Sequence, residues 1–316
     1  MKGALAGLFA LWFAWGLNWS LWRIVLPYTG PLEFIALRTA LAAALLVVLM
    51  LALRRSLNPV PLVPLLLIGL LQGVGMNGFS VIAVADSGAT KATIFAYTMP
   101  FWTVLFARMI LHEDIKARQW ISVGLGALGL AIVIAGHGSR VSEVGAVFAT
   151  AGGLCWALGT VVWKWTLQRY NVDPMLMITW QNLVAIIPLG VAALFAHEPP
   201  MLWNPLLTFV FIFNVTVTAI GSWLLWFWVV KRLPAVTAGM SALAIPVIAI
   251  ITAYLLVGER PEPLQWIGII CMLLALLVVN LPSSENRAPT SSRAKPVPGE
   301  ARVSRDSDNV GGQSLA

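Results

Sequence analysis

The chain has 316 residues, 59% of them apolar and 10% charged, with a mean hydropathy of +0.86. Soluble domains carry about 25% charge, so this composition excludes an ordinary soluble globular protein and makes lipid the expected solvent. The net charge of +7 points to membrane topology rather than to nucleic acid, because no polar segment interleaves Lys and Arg with stacking aromatics.

A bilayer core about 30 Å thick needs roughly 20 apolar residues per helix. In chain order, such runs lie at 3–24, 32–53, 62–84, 90–111, 117–136, 144–165, 174–196, 205–230, 235–257 and 263–281. The expected fold is therefore all-α and integral to the membrane, with ten transmembrane helices joined by short connections. The first run resembles a signal segment, but no small-residue cleavage site follows it, so it is expected to stay as a helix. Beyond Leu281 the composition turns to Ser, Pro, Gly and charged residues, and 283–316 is expected to be a disordered cytoplasmic tail.

Basic residues concentrate at alternate helix ends. Lys2, Arg54, Arg55, Arg108, Lys116, Arg118, Lys164, Arg169, Lys231 and Arg232 share one side, with the basic residues of the tail. Arg23, Lys91, Arg140 and Arg260 lie on the other. Lys and Arg favour the cytoplasmic side, so both termini are expected there, in a bacterial inner membrane.

An internal repeat organises the chain. A shift of 146 residues lays Ala89, Ala92, Ala96, Pro100, Ala107, Glu113, Gln119, Trp120 and Ile121 over Ala235, Ala238, Ala242, Pro246, Ala253, Glu259, Gln265, Trp266 and Ile267. A shift of 141 lays Trp15, Leu17, Trp22 and Arg23 over Trp156, Leu158, Trp163 and Lys164. Each unit spans five helices, 1–140 and 141–282, and an odd number forces the second to enter the membrane inverted. Two inverted halves can rock about a central site, which is a transporter architecture.

Several intramembrane residues are candidates for the substrate path. Trp12, Trp15, Trp19 and Trp22 fall on one narrow helical arc with Asn18 at its edge. Those near helix ends, Trp12, Trp22, Trp163, Trp120, Trp203 and Trp266, are expected in the interfacial belt or in a packing seam. Trp15, Trp19 and Trp156, nearer mid-membrane, either face a central cavity or form a packing seam. Pro100 and Pro246 each remove a backbone hydrogen bond and should break their helices at matching positions, with the hydroxyls of Tyr97 and Ser241 close by. Arg38 lies about two turns into the second helix, and its counterpart is Gln181. It either snorkels outward beside Glu33 or anchors a substrate carboxylate bidentately. Asn77 is a further polar candidate, whereas Gln72, Asn182 and Asn214 are expected in interhelical hydrogen bonds. Gly124, Gly126, Gly129, Gly152, Gly153, Ala238, Gly239, Ala242 and Ala244 are expected to let helices approach closely.

No acidic residue falls at mid-membrane, so transport is expected to be facilitative or exchanging, or to couple to protons through Asp86 or Glu33 at a mouth. The three His residues are scattered in loops, and neither HExxH nor GxxxxGK[ST] occurs. No metal, cofactor or enzymatic activity is therefore expected. The expected partners are the bilayer and a small-molecule substrate, with no nucleic acid, for a monomer or homodimer.

Trp15-Gly16, Arg38, the run Tyr97 to Pro100, Leu111-His112-Glu113 and its counterpart Val257-Gly258-Glu259 resemble the drug/metabolite transporter superfamily, in particular its EamA-type exporters. The resemblance covers residues 3–281. It implies ten helices and export of small metabolites, often amino acids or related compounds. One departure is that the first helix lacks the mid-membrane Glu of the small multidrug members, which argues against their route of cation export. An aromatic lining with scattered amides suits a neutral or zwitterionic compound, and a channel-like pore is the nearest rival reading.

Overall fold

The computed structural model describes residues 2–58, 61–135, 142–260 and 262–280. The expected tail lies outside the described residues. The described chain is helical throughout: α1 (Lys2–Val25), α2 (Pro31–Ala52), α3 (Leu62–Ser87), α4 (Ala89–Ile110), α5 (Ala117–Ala135), α6 (Glu143–Arg169), α7 (Pro174–Phe195), α8 (Pro205–Arg232), α9 (Ala235–Val257) and α10 (Pro263–Asn280). Every boundary lies within four residues of its apolar run. Among the described residues, eight helices, α2 to α9, are long and apolar enough to cross a membrane, and α10 is a shorter apolar helix. Large apolar side chains such as Leu194 and Phe195 face outward at 80% and 75% exposure, as a lipid solvent permits.

Local chemistry sets the helix ends. Pro31, Pro174 and Pro205 open α2, α7 and α8 at positions where no backbone N–H is needed. Asp173 and Asn204 cap the latter two by accepting from Met175 N and Leu207 N, both at 2.8 Å. Gly88, at φ 85°, turns the chain from α3 directly into α4.

Four helices are irregular within their span. α3 widens to π-helix over Gly69–Met76, and α8 does so over Asn214–Gly221, at the same place 145 residues later. α4 breaks at Tyr97–Thr98 and α9 at Ala242–Leu243, in each case just ahead of the proline expected to break it. There the ladder tightens to i→i−3 bonds, Phe101 N to Thr98 O and Ile245 N to Ala242 O.

Close packing depends on small residues. α5 crosses α10 where the Gly129 and Gly268 backbones touch, and Ser122 donates to Ala275 O at 2.7 Å. α6 passes the broken point of α4 with Gly153 against the Ala96 carbonyl, leaving no room for a Cβ. The carbonyl freed by Pro100 thus lies against a glycine backbone. Glu113, just past α4, accepts from Ala235 N and Val236 N at the start of α9. Glu259, just past α9, accepts from Ala89 N and Thr90 N at the start of α4. Gln119 and Gln265 likewise accept from Lys116 N and Glu262 N, both at 2.8 Å.

Candidate functional site: a tryptophan-lined cavity around Arg38

A cavity of about 50 Å3 lies among α1, α2, α3, α4, α6 and α8. Ligand pockets for drug-sized molecules occupy ~300–1,000 Å3, so the lining would have to part to admit a metabolite. Trp15, Asn18, Trp19 and Trp22 reach it from α1, Arg38 from α2, Met76 and Asn77 from α3, and Tyr97 and Met99 from α4. Trp156 of α6 and Thr218 and Trp223 of α8 complete it.

The polar core of this cavity follows from the π-helical segment of α3. A π-turn leaves backbone carbonyls without their usual partners, and the Asn77 amide donates from Nδ2 to Gln72 O at 2.7 Å and to Gly73 O at 3.3 Å. That leaves Asn77 Oδ1 to accept from Arg38 Nη1 at 3.1 Å. Ser222 occupies the same place after the α8 segment, donating to Val217 O at 2.9 Å.

Arg38 is 3% exposed, its Nε has no partner, and among the described residues no carboxylate lies within ion-pair distance of it. It does not snorkel. Burial of a charge without a counter-charge costs several kcal/mol, and Asn77 alone does not offset that. The Oδ1 atom of Asn18, buried on the same cavity, is also unpartnered. An unpaired donor and an unpaired acceptor therefore share one aromatic chamber. Neither Glu33 nor Asp86 lines it.

The walls are tryptophan. Trp15 packs edge-on to Trp223 at 5.5 Å and tilted to Trp226 at 5.7 Å, Trp156 meets Trp226 at 4.9 Å, and Trp19 meets Trp22 at 5.7 Å and Tyr97 at 6.2 Å. Such pairs contribute ~0.5–1.5 kcal/mol each beyond their buried area, which makes a stiff chamber. Trp22 and Trp163 lie in a packing seam rather than the interfacial belt. They are 3% and 0% exposed; Trp22 donates to Asn214 Oδ1 at 2.9 Å, and Trp163 stacks on Trp223 at 6.3 Å. Distance from a helix end leaves belt and seam open, and α8 covers them. Trp120, Trp203 and Trp266 are exposed, as an outward belt requires.

Of the sequence candidates, Trp15, Asn18, Trp19, Arg38, Asn77, Tyr97 and Trp156 come together here, while Pro100, Gln181, Ser241 and Pro246 do not line the cavity. Ser241 donates to its own helix at Ala238 O, 2.7 Å away, and Gln181 is buried on α7. Sequence reasoning missed Thr218, Trp223 and the supporting Trp226 of α8. The run Ser222-Trp-Leu-Leu-Trp-Phe-Trp228 was the available signal. Gln72 and Asn214 serve as interhelical bonds, Gln72 donating to Trp156 O at 3.1 Å. Asn182 instead donates within α7, to Ile178 O at 2.8 Å.

A bundle of membrane-length helices around a buried, aromatic-lined cavity that holds a guanidinium defines a polytopic membrane protein. The chain belongs to the EamA-like transporter family, whose model matches residues 1–135 and 143–281. It is 27% identical to the uncharacterized transporter YvbV of Bacillus subtilis over 87% of this chain and 90% of that protein. It is 25% identical to the uncharacterized inner membrane transporter YedA of Escherichia coli K12, over 87% and 89%. It is 24% identical to a probable amino-acid metabolite efflux pump of the same bacterium, over 84% and 90%. A solved crystal structure shares the fold at a TM-score of 0.68 and 17% identity, covering 90% of this chain and 99% of that one.

Proposed function

We propose that this membrane transporter exports a small zwitterionic carboxylate of the amino-acid type by alternating access around the tryptophan-lined cavity. The observation that carries the reading is Arg38, a buried guanidinium with an open Nε and no carboxylate partner among the described residues. A substrate carboxylate supplies the missing charge and can bind the guanidinium fork through two hydrogen bonds. The substrate ammonium then meets Asn18 Oδ1 and the indole faces of Trp15 and Trp19, which attract cations. The Escherichia coli efflux pump named above points the same way at 24% identity.

The mechanism rests on two inverted five-helix halves, 1–140 and 141–282, of a ten-span fold with both termini cytoplasmic. Supporting it are features that recur at nearly the same offset: the π-segments and the helix breaks 145 residues apart, and the Glu113 and Glu259 caps 146 apart. Backbone conformations recur too, with φ of 53° and 78° at His112 and Gly258, and 52° and 49° at Arg54 and His197. Two halves of like structure and opposite orientation can exchange conformations and expose the cavity to each face in turn.

The test is counterflow of radiolabelled amino acids in proteoliposomes. Saturable counterflow that disappears in Arg38→Gln and weakens in Trp15→Ala supports the proposal. Saturable flux of other solutes with amino acids inert sinks the substrate class, and non-saturable flux without counterflow makes the protein a pore.

A further inference from the structure

The geometry points to Glu113 and Glu259 as the two positioning residues that close the transport path, one at each face. This rests on the alternating-access reading above. Each carboxylate spans two backbone N–H groups at the start of the other half's broken helix. Glu113 Oε1 and Oε2 lie 2.9 and 3.2 Å from Ala235 N and Val236 N, and Glu259 Oε1 and Oε2 lie 3.3 and 3.0 Å from Ala89 N and Thr90 N. These are orphan donors at the positive end of a helix dipole, so a carboxylate there forms charge-assisted bonds.

What aims each carboxylate is the turn before it. His112 and Gly258 take left-handed φ, and the following N–H returns to Ala107 O and Ala253 O, both at 3.3 Å. The side chain is thereby sent toward the neighbouring helix. Gly88 completes the Glu259 side, since its φ of 85° excludes other residues and a Cβ there would lie 3.1 Å from Glu259 Oε1.

The contacts sit at opposite ends of the α4/α9 pair. The first half of α9 packs on the second half of α4, and the first half of α4 on the second half of α9. The breaks at Tyr97–Thr98 and Ala242–Leu243 divide these halves. Release of Glu113 therefore frees one end of the pair while Glu259 holds the other, and the converse. The Glu113 end carries a further tie. Lys164 Nζ donates at 2.8 Å to both Val230 O and Leu233 O, tying α6 to the segment that leads into Ala235 on the Glu113 side. Arg23, its counterpart in the repeat, is exposed.

The test is access to the cavity from each face, which needs no substrate. In a Cys155→Ala, Cys271→Ala background, Met99→Cys places a thiol in the cavity. Labelling by a membrane-impermeant trimethylammonium methanethiosulfonate is then timed in right-side-out and inside-out vesicles. Glu113→Ala should raise the rate about tenfold from the face where Glu113 lies, the ratio that ~1.4 kcal/mol produces, and leave the other face unchanged. Glu259→Ala should do the reverse, and Lys164→Met should follow Glu113→Ala. Glu113→Gln and Glu259→Gln, which keep the side-chain volume and one acceptor oxygen, should shift the same faces by less and guard against misfolding of the Ala variants. Equal changes at both faces, or none at either, overturn the proposal. A sided response with amino-acid counterflow absent keeps these roles and removes only the substrate class.

Discussion

At Arg38 a long side chain that could have reached the interface stays buried, because the π-helical turn of α3 turns Asn77 Oδ1 toward it. Asn77→Ala should strand both Arg38 Nη1 and the Gln72 carbonyl, destabilising the detergent-purified protein by ~1–3 kcal/mol in thermal unfolding. Arg38→Lys should keep the charge but not the planar fork, so counterflow KM should rise roughly 10- to 100-fold while the protein stays folded. A KM within twofold of the parent for Arg38→Lys would mean that the substrate does not use a bidentate contact. Sequence spacing could nominate Trp15, Asn18 and Trp19, since steps of three and four residues put them on one arc of α1. It could not separate snorkelling from burial for Arg38, because that depends on the neighbour at its tip, thirty-nine residues away.

Among the elements, the broken helices α4 and α9 carry the motion in this reading. Pro100→Ala and Pro246→Ala should each restore a backbone bond worth ~0.5–1.5 kcal/mol and stiffen the break. Turnover in counterflow is expected to fall up to about tenfold, with KM little changed because neither proline lines the cavity. A raised KM at unchanged turnover would place the prolines in binding instead. α5 and α10 test packing rather than motion. Gly268→Val drives a side chain into the Gly129 carbonyl and Val133, and overpacking of this kind costs ~1–3 kcal/mol. Its melting temperature in detergent should drop, with counterflow KM preserved in the folded fraction. Both breaks were legible beforehand, since a proline at matching repeat positions has one backbone consequence. The π-segments were not, because Gly69–Met76 and Asn214–Gly221 share no residue type that announces a widened turn.

Across the whole molecule, orientation follows from where Lys and Arg gather. Reporter fusions after Leu281 should be active only for a reporter that folds in the cytoplasm, and periplasmic activity there would reverse the proposed topology. The positions of the apolar runs, the breaks ahead of Pro100 and Pro246, and the matching placement of Glu113 and Glu259 were all written into local composition and an internal offset, whereas the helix start that each carboxylate caps was not. Lipid demands long apolar helices whatever their neighbours, and a repeated residue has a repeated local effect. Partnership was different. The burial of Trp22 and Trp163, the arrival of Thr218 and Trp223 at the cavity, and the exclusion of Ser241 from it depend on how α8 and α9 lie against α1, α4 and α6, and the exclusion of Gln181 on how α7 lies against α2 and α3. Helical period specifies which face a side chain occupies, but not which helix that face will meet. In a chain apolar on nearly every side, that choice rests on close packing at small residues such as Gly16 and Gly153.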